Sequence, residues 1–101
     1  MADDVDPLCF ECDPEKDRNN LAKHGVGFRE ASGVFGDPLA RTRFDPDHSD
    51  LEDRFVTIGY SASGHLIIVI HTDRGDRTRI ISARLASGHE RREHEQREPP
   101  R

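Results

Sequence analysis

Four side chains in the second half of this 101-residue chain have the types and spacing for phosphate chemistry: Arg54, His71, Arg79 and Arg84. A histidine moves protons near neutral pH, and an arginine offers a rigid fork to two phosphate oxygens. Arg54 stands at the expected start of one strand and His71 at the expected end of the next. In an antiparallel pair those positions share an edge, so Arg54, His71 and one of Arg79 or Arg84 could converge on one phosphate. Arg79 and Arg84 lie five positions apart, which sends them to opposite faces of a regular strand. Both serve one site only if the strand bulges or has turned away before Arg84. Arg77 shares the face of Arg79. Beside this stands a plainer reading, in which the edge arginines are solvated or paired with Asp73 and Asp76, and His71 makes a structural hydrogen bond.

Other candidates carry less. Lys23 and His24 favour the end of a helix electrostatically, and either could touch a phosphate if that end faces the sheet. Ser82, between Ile81 and Ala83, reads as a hydroxyl at the core edge. Arg91 and Arg92 are interleaved with Glu90, Glu93 and Glu95, the pattern of a self-paired solvated face. Cys9 and Cys12 supply half of a zinc knuckle without a second pair, and lack the strand-then-helix setting of a redox motif. His89 and His94 sit about 140° apart on a helix, too far round to share a metal. No metal and no cofactor are expected.

The elements that must hold these residues follow from punctuation and period. Residues 8–12 suit a short strand. Asp13-Pro14-Glu15 opens a helix and Lys23-His24-Gly25 closes it, with Leu21 almost its only apolar anchor. A second helix fits 28–35, where Phe28, Ala31 and Phe35 share a face. Residues 39–44 form an edge strand with Arg41 and Arg43 on one side, and 45–53 an acidic loop. Strands at 54–60, 65–72 and 77–84, joined by short glycine-containing turns, make an antiparallel meander whose middle member is apolar on both faces. Ser87-Gly88-His89-Glu90 is a capping box opening a last helix to about residue 96, solvated or partner-contacting because it lacks apolar residues. The fold class is α+β: an antiparallel sheet with two N-terminal helices on one face and a C-terminal helix. One domain over residues 8–97 lies between a disordered acidic stretch, 1–7, and a loose tail, 98–101.

Hydrophobic residues are 33% and charged residues 35% of the chain, close to a disordered composition, but the apolar ones concentrate in the second helix and the meander. The longest apolar run, 66–70, cannot cross a bilayer. The acidic opening lacks the basic and apolar parts of a secretory leader, and two cysteines make no disulfide framework, so a cytoplasmic setting is expected. Net charge is −5, yet residues 18–43 and 54–84 each carry +3. The sheet is thus locally basic between acidic segments.

Several of these stretches resemble one family. Phe10-Glu11-Cys12-Asp13-Pro14-Glu15-Lys16, Asn20-Leu21-Ala22-Lys23-His24-Gly25-Val26 and Phe28-Arg29-Glu30-Ala31 look like the opening of the BrnT toxins, as does Val34-Phe35 followed by Asp37-Pro38. Asp53-Arg54-Phe55-Val56-Thr57-Ile58-Gly59, Ile68-Val69-Ile70-His71-Thr72 and Arg79-Ile80-Ile81-Ser82-Ala83-Arg84 extend the likeness across residues 10–95. The family usually has an aromatic residue where Cys12 and His94 stand, and a small polar cap where Gly27 stands. The resemblance implies a RelE-like fold and a type II toxin that cleaves RNA without a metal. It also implies neutralisation by a BrnA-like antitoxin whose DNA-binding module is the complex's contact with DNA. No membrane partner is implied, and assembly as a dimer or as a heterotetramer with the antitoxin is left open.

RNA cleavage through its own 2′-hydroxyl needs a base, cations for the phosphorane and an acid for the leaving oxygen. On that basis His71, Arg79, Arg54 and Arg84 are the expected catalytic set, and Lys23, His24 and Arg77 the expected RNA contacts. A competing reading keeps the fold without catalysis, as an antitoxin-binding co-repressor. The negative net charge and the scarcity of aromatic stacking platforms favour it. Direct DNA binding is not expected, because no helix carries a basic recognition pattern.

Overall fold

The computed structural model describes residues 10–11, 13–48, 52–74 and 77–97. The acidic stretch 1–7, both cysteines and the tail 98–101 lie outside them. Strand β1 (Phe10–Glu11) is followed by α1 (Pro14–His24), α2 (Phe28–Ser32) and a 3-10 turn (Gly33–Gly36). Strands β2 (Arg41–Phe44), β3 (Phe55–Tyr60), β4 (Leu66–Arg74) and β5 (Arg77–Leu85) come next, then α3 (Gly88–Arg97). The sheet order is β1-β5-β4-β3-β2. Strands β2 to β5 are antiparallel neighbours, β3 to β5 as their short turns require and β2 across the longer loop 45–54, but β1 runs parallel to β5. The expected antiparallel sheet is therefore mixed. About two-thirds of the chain separates β1 from β5, so no hairpin dictates their direction.

Directly opposed residues of paired strands project to the same side, so the register sorts the sheet into two faces. One face carries Ile67, Val69, Ile80 and Ala83, which form the core with Val26, Phe28, Ala31 and Val34 of the helical layer. Gly59 permits this approach: a Cβ there would lie 2.9 Å from both Ala40 Cβ and Val34 Cγ1. The second helix is shorter than expected, since after Ser32 the chain tightens into the 3-10 turn. Its N-terminus lacks a side-chain cap at Gly27; Asp17 of α1 serves instead, accepting from the Phe28 N–H at 2.8 Å.

Helix α1 starts and stops as its sequence dictates. Asp13 accepts from the Glu15 N–H, Pro14 opens the first turn, and Gly25 takes a left-handed φ of 73°. Its anchor is not Leu21, which is 54% exposed, but buried Asn20. The Asn20 amide donates to the Ala83 and Val26 carbonyls at 2.7 and 2.8 Å, and its oxygen accepts from the Ala83 N–H at 3.2 Å. A side chain thus completes the ladder of β5 as a neighbouring strand would.

The last helix is also more firmly placed than its composition suggests. Ser87 and Glu90 form the reciprocal capping box, at 3.2 and 2.8 Å. His94 is only 3% exposed and lies 6.0 Å from the Tyr60 ring. The imidazole does what the missing apolar residues could not, docking α3 against the sheet face opposite α1 and α2.

Candidate active site

The condition for Arg79 and Arg84 to share a face is met. Strand β5 pairs Ser82 with Ile70 but Ile80 with His71, so one residue, Ile81, is extra on its side. A bulge of this kind resets the alternation. Ile80 and Ala83, three apart, both enter the core, while Arg84, Ser82, Arg79 and Arg77 fall on the opposite face. Arg41 and Arg43 of β2 reach that same face in register with Ile58 and Val56. Arg41 and Arg84 are the ends of one cross-strand row, with Ile58 and Ile68 between them. Three strand spacings separate them, roughly 14 Å.

Helix α3 flanks this arginine face and, with β2, encloses a groove of ≈ 570 Å³ floored by Val56, Ile58, Ile68 and Ile70. Its four arginines are matched by four carboxylates. Glu90 takes Arg84 by both nitrogens, at 2.7 and 2.8 Å. The Arg84 guanidinium holds the Glu90 carboxyl down to about 2, and Glu90 in turn raises Arg84. Arg41 donates to the Arg97 carbonyl across the groove.

His71 is on the other face. The register puts it in a row with Phe44, Phe55 and Ile80, under the helical layer, and it is 2% exposed. Phe35 meets it edge-on at 4.9 Å and Phe55 stacks at 5.9 Å. Nδ1 lies 3.2 Å from Asp73 Oδ1, and Nε2 lies 2.8 Å from Thr57 Oγ1. Burial pushes the imidazole below its ordinary value, and the Asp73 hydrogen bond opposes that without overcoming it. His71 is therefore a neutral base at pH 7, sealed from the arginine face by the sheet. The expected convergence of His71 with Arg79 or Arg84 does not occur, because the edge position was right and the side of the strand was not.

Residues 12–90 match the profile of a family described as the ribonuclease toxin, BrnT, of type II toxin–antitoxin systems. The chain belongs to the BrnT family. The crystal structure of the Brucella abortus ribonuclease toxin BrnT is similar at 26% identity, covering 79% of this chain and 97% of that one, with a TM-score of 0.59. No curated protein matches the chain. As a member of a type II toxin family, the chain has an antitoxin for a partner. The BrnT match ends at Glu90, so most of α3 runs past it.

The remaining sequence candidates are dispersed. Arg54 stands one residue before β3, half-buried, and its carbonyl accepts from the Asp45 N–H at 2.8 Å, which ties it to the end of β2. Lys23 and His24 end α1 on the helical side, away from the arginine face. Ser82 is half-buried opposite Ile70. His89 points outward near Glu93 while His94 is buried, so the two imidazoles face different ways, as five-residue spacing requires. Among the described residues no helix is long and apolar enough to cross a membrane.

Sequence reasoning missed two features. Ser61, His65 and Glu30 meet, but Ser61 and His65 Nδ1 both engage Glu30 Oε2, at 2.8 and 2.6 Å. This pins the β3–β4 turn to α2, and the His65 hydrogen bond lowers the Glu30 carboxyl. The second is Thr57, buried between Thr42 Oγ1 at 2.7 Å and His71. Its position two residues past Phe55, on the side facing the helices, was the available signal.

Proposed function

We propose that this chain is a metal-independent endoribonuclease, a cytoplasmic toxin of RelE-like fold neutralised by a BrnA-like antitoxin through which alone it contacts DNA. The observation that carries this reading is the bulge at Ile81, which gathers Arg77, Arg79 and Arg84 on the face of Arg41 and Arg43. In a family of ribonuclease toxins, such a face supplies the cations that an RNA backbone requires. His71 is the proton acceptor, kept neutral by burial and oriented by Asp73. Arg54, beside the His71 row at the sheet edge, stabilises charge on the reacting phosphate; Arg77, Arg79 and Arg84 hold backbone phosphates on the opposite face, and Lys23 and His24 contact RNA from the helical side. A dimer, or a heterotetramer with the antitoxin, is the assembly proposed.

A second reading has its own support. Glu90 occupies both arms of Arg84, and the groove beside α3 is balanced in charge. On this reading the chain is a catalytically weak homologue that acts as an antitoxin-binding co-repressor. Induction of the chain alone in growing bacteria separates the two, with Arg79→Ala and the Arg79→Ala/His71→Ala double variant at matched soluble levels. Growth arrest with RNA loss, relieved by the variants, supports the nuclease. Normal growth with abundant folded wild type sinks it in favour of the co-repressor.

A further inference from the structure

A chain of hydroxyls connects buried His71 to the open edge of the sheet, and its polarity is dictated from one end. Asp73 is 51% exposed on its side chain and, as a carboxylate, only accepts hydrogen bonds. His71 Nδ1, 3.2 Å away, therefore carries the imidazole proton, and neutral Nε2 is an acceptor. Thr57 must then donate to Nε2 across 2.8 Å. Having spent its one proton there, Thr57 Oγ1 accepts from Thr42 Oγ1 across 2.7 Å. Every hydroxyl thus points its proton inward, and the series ends on Thr42 Oγ1, in a strand exposed along its whole length. Both residues are β-branched and stiff at χ1, which suits a fixed relay.

We propose that Thr42 Oγ1 meets the 2′-hydroxyl of a single-stranded RNA at the β2 edge and passes its proton through Thr57 to His71. This rests on the ribonuclease reading above. In the step, the 2′-oxygen gives its proton to Thr42 Oγ1 as Thr42 gives its own to Thr57 Oγ1 and Thr57 gives its own to Nε2. The 2′-oxygen–phosphorus bond forms, the bond from phosphorus to the 5′-oxygen breaks, and the leaving oxygen takes a proton from water. The products are a 2′,3′-cyclic phosphate and a 5′-hydroxyl; the imidazolium returns its proton to water by the same route reversed. Thr42 touches substrate, and Thr57 is a positioning residue.

The surroundings of Thr42 suit that substrate. Arg54 is tied to the end of the strand through the Asp45 N–H, and Arg41 and Arg43, whose side chains project to the opposite face, meet the backbone of an RNA that wraps the open β2 edge. Phe44, two residues along on the face of Thr42, is exposed and braced edge-on by Phe55 at 5.8 Å. An unstacked base beside the reacting ribose can lie on that ring, as aromatic side chains commonly hold single-stranded RNA.

The experiment is a pH–rate profile of the purified full chain on a fluorogenic single-stranded RNA, between about pH 5 and 9, around the range where histidine titrates. Wild type should lose rate on the acid side as His71 takes a proton. Thr42→Val should lower kcat by about 100-fold, with KM little changed and the acid limb gone. Thr42→Ser should restore both rate and limb, which a merely structural role for the methyl group would not require. Thr57→Val and Thr57→Ser should repeat the pattern; where Thr57→Val fails to fold, the exposed Thr42 pair decides. Wild-type rate and an intact acid limb in folded Thr42→Val overturn the relay and leave the nuclease standing. Wild type that cleaves no RNA at any pH overturns both.

Discussion

The two faces of this sheet bury polar groups by different rules. On the helical face the polar side chains are sealed in and fully committed: Asn20 to the backbone of Ala83 and Val26, Thr57 to His71, His71 to Asp73. On the arginine face the charges are half-exposed, and a helix with little apolar surface is held by Arg84–Glu90 and the buried His94. The first arrangement cannot yield without leaving donors unpaired in a dry interior, whereas the second exchanges protein partners for water at small cost. Stability therefore resides on the helical face, and adaptability to a charged ligand on the other.

Four measurements can break that contrast. The largest effect is expected for Asn20→Leu, which leaves the Ala83 N–H and carbonyl without their side-chain partner. It should cost about 2–4 kcal/mol in urea unfolding; a loss below about 1 kcal/mol would show that the helix leans on something other than Asn20. Next, Gly59→Ala pushes a methyl into Val34 and Ala40 and should cost about 1–3 kcal/mol, with the helical face loosened.

Because burial lowers the His71 value, the unfolded chain takes up this proton before the folded one does. Stability should be full above the unfolded histidine value, near pH 6.5, and decline as pH falls below it. His71→Gln should flatten that decline in paired unfolding curves; an equal slope in both proteins would refute the assignment. The smallest effect is expected for Glu90→Gln, about 0.5–1 kcal/mol for a half-exposed pair. The folded Glu90 value of about 2 lies below the ordinary 4.5, so the pair's contribution is present above pH 4.5 and lost as pH falls towards 2. Wild type and Glu90→Gln should converge in that window, followed by chemical shifts of Tyr60 as α3 loosens; divergence there would place the anchor of α3 elsewhere.

Much of the frame could be read directly. The helix signals at Asp13-Pro14 and His24-Gly25, the Ser87–Glu90 capping box and the three-stranded meander are local patterns, and local backbone chemistry is enough to decide them. The residues that resemble the BrnT family were legible for the same reason, since motif and spacing are properties of the chain itself. Arg41 and Arg43 were also correctly put on one side of an edge strand.

What the sequence alone determined, then, is which segments form and in what order, because caps, turns and hydrophobic period act over a few residues. The tertiary structure decided the direction of β1, the role of Asn20, the bulge that unites Arg79 with Arg84, and the side of the sheet on which His71 lies. Each depends on partners far away in the chain: Asn20 and Ala83 meet across 63 positions, and His71 and Thr57 across 14. A one-residue slip in register reverses every side chain beyond it, and no local pattern encodes that slip.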